Sequence, residues 1–142
     1  MRMLSDAARR AIAAPRLAHL TTLNPDGSPQ VTLVWAGLDG DEIVIAHLSR
    51  HRKIRNVARD SRVAVSIEAE GRTHGMDNYL VVYGRARITE GGAPELLQQL
   101  AETYIGPGVK FPPTDDAPPG YITHVTVERV GGIGPWQDTP GD

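Results

Sequence analysis

From residue 16 onward, apolar and polar positions alternate with a period of two in short runs separated by turn residues. RLAHLTTL (16–23) alternates as a strand, and Asn24-Pro25-Asp26-Gly27 supplies residues that favour a tight turn. PQVTLVWAG (29–37) is a β-branched and aromatic run that predicts a second strand antiparallel to the first. Asp39-Gly40-Asp41 predicts another turn and EIVIAHL (42–48) a third strand, so that three strands and two tight turns read as a meander. RVAVSIEAE (62–70) alternates cleanly, and a Gly/His loop leads into the long strand YLVVYGRARITE (79–90). Gly84 inside that strand predicts a bulge or bend of the kind that curls a sheet. YITHVTVERVGG (121–132) is the last alternating run.

Three stretches carry helical spacing instead. Ser5 is placed to cap a helix that ends before Pro15. Between residues 49 and 62, Ser49 is placed to cap a helix with Ile54, Val57 and Ala58 on one face and Arg52, Arg55, Arg59 and Arg62 on another. APELLQQLAETYI (93–105) is amphipathic, and GPGVKFPPTDDAPPG (106–120) is a long proline- and glycine-rich loop. About six strands with three short helices and no βαβ alternation predict a mainly β chain, an antiparallel barrel or sandwich with attached helices. With no internal repeat and no dividing linker, residues 1–142 read as a single domain.

Composition removes several function classes. The formal charge of −2 argues against a general nucleic-acid or membrane-surface binder. Cysteine is absent, which excludes disulfides, thiolate nucleophiles and Cys-ligated metals. No run approaches the roughly 18 apolar residues of a membrane span. The N-terminus is too charged for a signal peptide, so the cytoplasm is the default compartment. The five histidines, His19, His47, His51, His74 and His124, lack metal-ligand spacing, and no metal is expected. Neither Ser28 nor Ser49 sits in a nucleophile elbow, and Gly106-Pro107-Gly108 lacks the downstream residues of a phosphate loop. Trp35 and Tyr83 read as packing residues.

One local feature stands out. HLSRHRKIRNVARDSR (47–62) holds Arg50, Arg52, Lys53, Arg55, Arg59 and Arg62, six of the fifteen basic residues. Three readings compete. The charges form a solvated helix face with weak exposed ion pairs, or they neutralise nucleic-acid phosphates, against which stand the acidic balance and the absence of interleaved aromatics. In the third reading the start of a helix, with its unpaired N–H groups and positive dipole end, holds the phosphate of a small cofactor. Ser49, Arg50, Arg52 and Lys53 then surround that phosphate.

Two motifs in this order carry a resemblance. Leu20, Thr22, Asp26, Gly27 and Pro29 fit an L-x-T-x-x-x-D-G-x-P hairpin; Lys53, Arg55, Asn56, Arg59 and Asp60 fit a K-x-R-N-x-x-R-D strand-to-helix segment. Over about residues 15–90 the chain resembles the pyridoxamine 5′-phosphate oxidase-like split-barrel superfamily, and within it the flavin/deazaflavin oxidoreductases that use coenzyme F420. The resemblance implies a homodimeric split β-barrel with the cofactor in a groove between subunits. It implies that Val31, Thr32, Leu33, Val34 and Trp35 line the ring system, largely through backbone groups. Ala46, His47, Leu48 and Ser49 then run from ring to phosphate. Arg52 and Lys53 hold the phosphate, with Arg50, Arg55 and Asn56 as helpers, and Asn78 and Tyr79 come from the partner subunit. Arginines beyond the phosphate favour F420, with its acidic oligoglutamyl tail, over FMN; a non-catalytic cofactor- or heme-binding module is the remaining alternative. The implied chemistry is hydride transfer between reduced deazaflavin and a small organic acceptor. The catalytic residues stay open, with Tyr79, His74 or solvent as the proton donor. The resemblance leaves open whether the loop 106–120 covers the site and whether Trp136, in the family-like ending GIGPWQ, closes over it or packs on the barrel.

Overall fold

The computed structural model describes residues 4–136. Its elements in chain order are α1 (Asp6–Ala13), β1 (Ala18–Leu23), β2 (Pro29–Val34), β3 (Gly37–Asp39), β4 (Glu42–His47), α2 (Arg52–Arg59), β5 (Arg62–Thr73), β6 (Met76–Glu90), α3 (Ala93–Tyr104) and β7 (Tyr121–Ile133). Among the described residues the strands form one antiparallel sheet in the order β2-β1-β5-β6-β7-β4-β3. The fold is a mainly β split barrel with a few short helices, and the sheet is not closed.

The expected meander is not formed. β2 pairs with β1, but β4 pairs with β7 and with the short β3, at the far end of the strand order. The run 29–37 is two strands, because Trp35 and Ala36 leave the ladder and let the chain change edges. That change dictates curvature. A seven-strand sheet laid flat would separate its outer strands by about 29 Å, at about 4.8 Å per step. Three residues from Val34 to Gly37 span at most about 11 Å, so the sheet must curl until its two ends approach.

Tyr104 pins this corner. Its phenol donates to the carbonyl of Arg16 at 2.9 Å and accepts from the N–H of Ala36, at 3.1 Å. Half-burial raises the phenol pKa, so the group is neutral and able to do both. Tyr104→Phe orphans the N–H of a residue only 2% exposed and is expected to cost about 2 kcal/mol. A thermal melt should show a midpoint lower by several degrees; an unchanged midpoint would mean that water replaces the phenol.

Leu20, Ile45, Val65, Ile67, Leu80, Val82 and Val125 fill the barrel, each at most 1% exposed. α1 closes one end through Ala8 and Ile12, joined by Leu4 just before it, and the Ser5 hydroxyl accepts from the N–H of Ala8 as the sequence predicts. The ladder between β6 and β7 shifts register between Tyr83 and Gly84, the expected bulge. A Cβ on Gly84 would collide with the carbonyl oxygen of Thr126, which explains glycine there.

α2 departs from expectation at its start. The cap position is His51, two residues beyond Ser49, and no side chain bonds to the first turn. The Ser49 hydroxyl instead meets His51 Nε2 at 2.8 Å. Ile54 and Val57 are buried as predicted, but Ala58 faces solvent and Asn56 takes its place in the interior.

Candidate functional site

The structure divides the six basic residues into two groups. Arg62 pairs with Asp60 at 2.7 Å, and Arg59 donates to the carbonyl of Leu23 and to Asn56 Oδ1. Those two charges serve the fold. Arg55 reaches only the carbonyl of Arg50, at 3.5 Å, and the Arg50 guanidinium lies 5.9 Å from the Tyr121 ring centroid. Among the described residues Arg50, Arg52, Lys53 and Arg55 have no carboxylate partner. Four like charges therefore gather at the start of an uncapped helix, beside its unpaired N–H groups. Lys53 is half-buried, and that burial lowers its ammonium pKa. An anion placed there would restore it.

Lys53 also faces a cleft of about 270 Å³. Leu33 and Val34 come from the end of β2, Trp35 from the break that follows it, Ala46 from β4 and Leu17 from the approach to β1. Leu97 of α3 and Phe111 of the 106–120 loop complete it. Trp35 stacks on Tyr104 with centroids 5.3 Å apart and meets Phe111 at 5.2 Å, so it packs as predicted and lines the cleft as well. On the outer side of β2, Val31 and Leu33 are each 57% exposed. Between them Thr32 points inward with its Oγ1 buried and unpartnered. This lining fits a ligand with an apolar ring and a phosphate at a helix start.

Other residues expected at the site do different work. His47 is 4% exposed and shares a 2.8 Å hydrogen bond with Thr123. Burial first, then Lys53 and His51, lowers its pKa to about 3, so it is neutral at ordinary pH and points into the barrel. Asn56 does not face the cleft. Its Nδ2 donates to Thr22 Oγ1 at 3.0 Å and to Asn24 Oδ1 and Gln30 Oε1 at 3.1 Å, tying α2 to the β1–β2 hairpin. Leu48, Ser49 and Arg50 border a separate hollow of about 250 Å³ with Tyr121 and the end of the loop.

Asn78 and Tyr79 lie elsewhere within one chain. Asn78 accepts from Thr73 Oγ1 at 2.7 Å and donates to the carbonyl of Glu70 at 3.1 Å. With Tyr79 it borders a cavity of about 510 Å³ that also holds Arg16 and Arg72. His74 occupies the exposed turn between β5 and β6 with φ of 52°. Trp136 packs on the barrel, 3% exposed, and donates to the carbonyl of Tyr79 at 3.2 Å; Gln137, the last residue of GIGPWQ, lies outside the described residues. Sequence reasoning missed Leu17, Leu97 and Phe111 as cleft residues. The one available signal was Phe111 itself, the single phenylalanine of the chain, set in a loop of prolines and glycines.

Comparison with known proteins adds three kinds of finding. A family model described as pyridoxamine 5′-phosphate oxidase matches residues 4–133. No curated protein matches the chain. Among solved structures, an F420 reductase is 26% identical, with a TM-score of 0.74 over 90% of this chain and 98% of its own. A conserved hypothetical protein from Mycobacterium tuberculosis is 25% identical, with a TM-score of 0.68 over 91% of this chain and 84% of its own. A heme binding protein from Mycobacterium smegmatis is 24% identical, with a TM-score of 0.63 over 92% of this chain and 55% of its own, a likeness of fold.

Proposed function

Because the chain belongs to the pyridoxamine 5′-phosphate oxidase family, we propose that it is an oxidoreductase that holds coenzyme F420 and serves a small organic acceptor. The observation that carries this reading is the group of four cations, without carboxylate partners among the described residues, at the uncapped start of α2 beside an apolar cleft. Arg52 and Lys53 are placed to grip the phosphate, the guanidinium through paired N–H groups and the ammonium as a point charge. Arg50 and Arg55 are then left for the carboxylates of a tail, which FMN lacks. When bound, the deazaflavin supplies the hydride chemistry. The protein orients it along β2 and packs Leu33 and Trp35 against its ring. Neutral, inward-facing His47 is unsuited to deliver a proton, and the cleft is open enough for solvent to do so.

Fluorescence titration with F420 and FMN in parallel tests this. The FMN phosphate is a monoester whose second ionisation lies near pH 6, like that of other phosphate monoesters. The F420 phosphate is a diester and carries one charge throughout. Tighter binding of F420, with affinity flat between about pH 5 and 8, is the expected result. Tighter binding of FMN, rising through that range, would reassign the cofactor. Binding of neither would return the basic segment to a solvated face.

The cleft is small for such a ligand, since drug-sized sites commonly occupy about 300–1,000 Å³, and a second copy of the chain completes it in this proposal. Strand register places Val31 and Leu33 in one row with Thr21 and His19, then Ala64 and Ser66, then Tyr83 and Val81. His19 is the one titratable side chain in the strip apart from Tyr83, in a protein in which 23% of residues are charged. An open sheet gains by covering such a face with its copy. Sedimentation equilibrium should give twice the chain mass, and Val31→Asp with Leu33→Asp should shift it toward the monomer. A monomeric wild-type protein would refute the dimer.

A further inference from the structure

The chain has two lysines, and the fold treats them differently. Lys110 stands in the 106–120 loop with 63% of its side chain exposed and its ammonium paired with Asp115 at 2.8 Å. Lys53 is half-buried, has no carboxylate partner among the described residues, and lines the cleft with Leu33, Val34, Trp35 and Ala46. No carboxylate lines that cleft, and the basic residues nearest Lys53 in the chain, Arg50, Arg52 and Arg55, repeat its own sign. His47, whose pKa Lys53 helps to lower, is neutral and bonded to Thr123, and His51 is bonded to Ser49. Burial lowers the ammonium pKa of Lys53, so at a given pH it holds more free amine than an ordinary exposed lysine. A desolvated amine among other cations is the arrangement that turns a lysine into a nucleophile.

We propose that Lys53 is an acylation site, that its donors are small acyl phosphates, and that Arg50, Arg52 and Arg55 draw the donor's phosphate to it. In this step the free amine attacks the carbonyl carbon of the donor. An amide C–N bond forms and the C–O bond to phosphate breaks. Inorganic phosphate leaves with the electron pair, and the proton of the amine passes to water. Guanidinium groups suit that leaving group, because they bond phosphate oxygens in pairs and keep their charge. The amide that results is uncharged. Acylation therefore removes one of the two cations assigned to the cofactor phosphate, so that acylation and cofactor binding exclude each other. That consequence rests on the cofactor reading above, whereas the acylation itself does not.

The test treats cofactor-free full-length protein with acetyl phosphate and follows each lysine by mass spectrometry. Cleavage at acidic residues places Lys53 in the peptide 43–59 and Lys110 in the peptide 103–114, so the two rates are read separately. Lys53 should acetylate several-fold faster than Lys110, and the difference should disappear in fresh urea. Arg50→Gln with Arg52→Gln should slow Lys53 several-fold with acetyl phosphate, and less with the uncharged acetyl N-hydroxysuccinimide ester. In a Lys110→Arg background, which keeps a cation beside Asp115, protein acetylated at Lys53 should bind F420 at least about tenfold more weakly than unmodified protein. Equal rates at the two lysines, a preference that survives urea, or a double variant acetylated like wild type would each overturn the proposal. Unchanged F420 affinity after acetylation would overturn the mutual exclusion. Unmodified protein that binds neither F420 nor FMN would refute the cofactor reading instead, since the acylation rates are measured without either.

Discussion

Replacing Arg52 and Lys53 together by alanine is expected to lower affinity for the phosphate-bearing cofactor by at least about a hundredfold. Each charge-assisted contact to a phosphate is worth roughly 1.5–3 kcal/mol, so two contacts give about 3–6 kcal/mol before any coupling between them. The same change should leave stability intact. Among the described residues neither side chain has an ion pair to lose, and Lys53 is held half-buried with its charge disfavoured. Removing that charge relieves a penalty, so the melting temperature of the ligand-free variant should match or exceed that of the wild type. The pH dependence follows from the same burial. Burial lowers the folded-state pKa of Lys53, so its charge fades as pH rises before the ordinary lysine range is reached. Cofactor affinity should therefore weaken on the alkaline side, and Lys53→Ala should remove that dependence while weakening binding at all pH values. A double variant that binds as tightly as wild type would mean that the four charges serve only solubility.

The strands were legible because alternation records which face of a sheet is wet, and that is a local property. Register and edge were not. The turn residues at 39–41 correctly mark a hairpin, yet they do not say that β3 and β4 join β7 instead of β2. The break responsible, Trp35-Ala36, is hidden in a continuous β-branched run, and its reason lies 68 residues away in the phenol of Tyr104. The basic segment was legible as a cluster and illegible as a division of labour. Nothing in RKIRNVARDSR tells Lys53, which has no carboxylate partner among the described residues, from Arg59, whose partner is a backbone carbonyl on β1. Phe111 and Leu97 reach the cleft by tertiary folding alone. The cap of α2 moved from Ser49 to His51 because Ser49 bonds to the histidine ring and not to the helix.

Asn56→Ala separates the family-based assignment from the structural one. As a helper at the phosphate, Asn56 would matter for affinity and little for stability. The structure places it 1% exposed, with three acceptors around Nδ2 and Arg59 on Oδ1. Truncation leaves Thr22, itself 1% exposed, without the amide that donates to it and frees the hairpin from α2. A buried polar group left unsatisfied costs about 1–3 kcal/mol, and with the other lost bonds a total near 3 kcal/mol is expected. For a chain of this size that corresponds to a melting point lower by about 10 °C. Cofactor affinity should fall far less than in the Arg52/Lys53 double variant, because Asn56 acts by holding the helix against β1 and β2 and not by touching the ligand. Amide hydrogen exchange adds a direct view of the clamp: protection should drop together in α2 and in the hairpin around Asn24 and Gln30, while β6 and β7 keep theirs. A variant that melts like wild type but loses the cofactor would put the Asn56 side chain at the phosphate after all, and would require α2 to turn when the ligand binds.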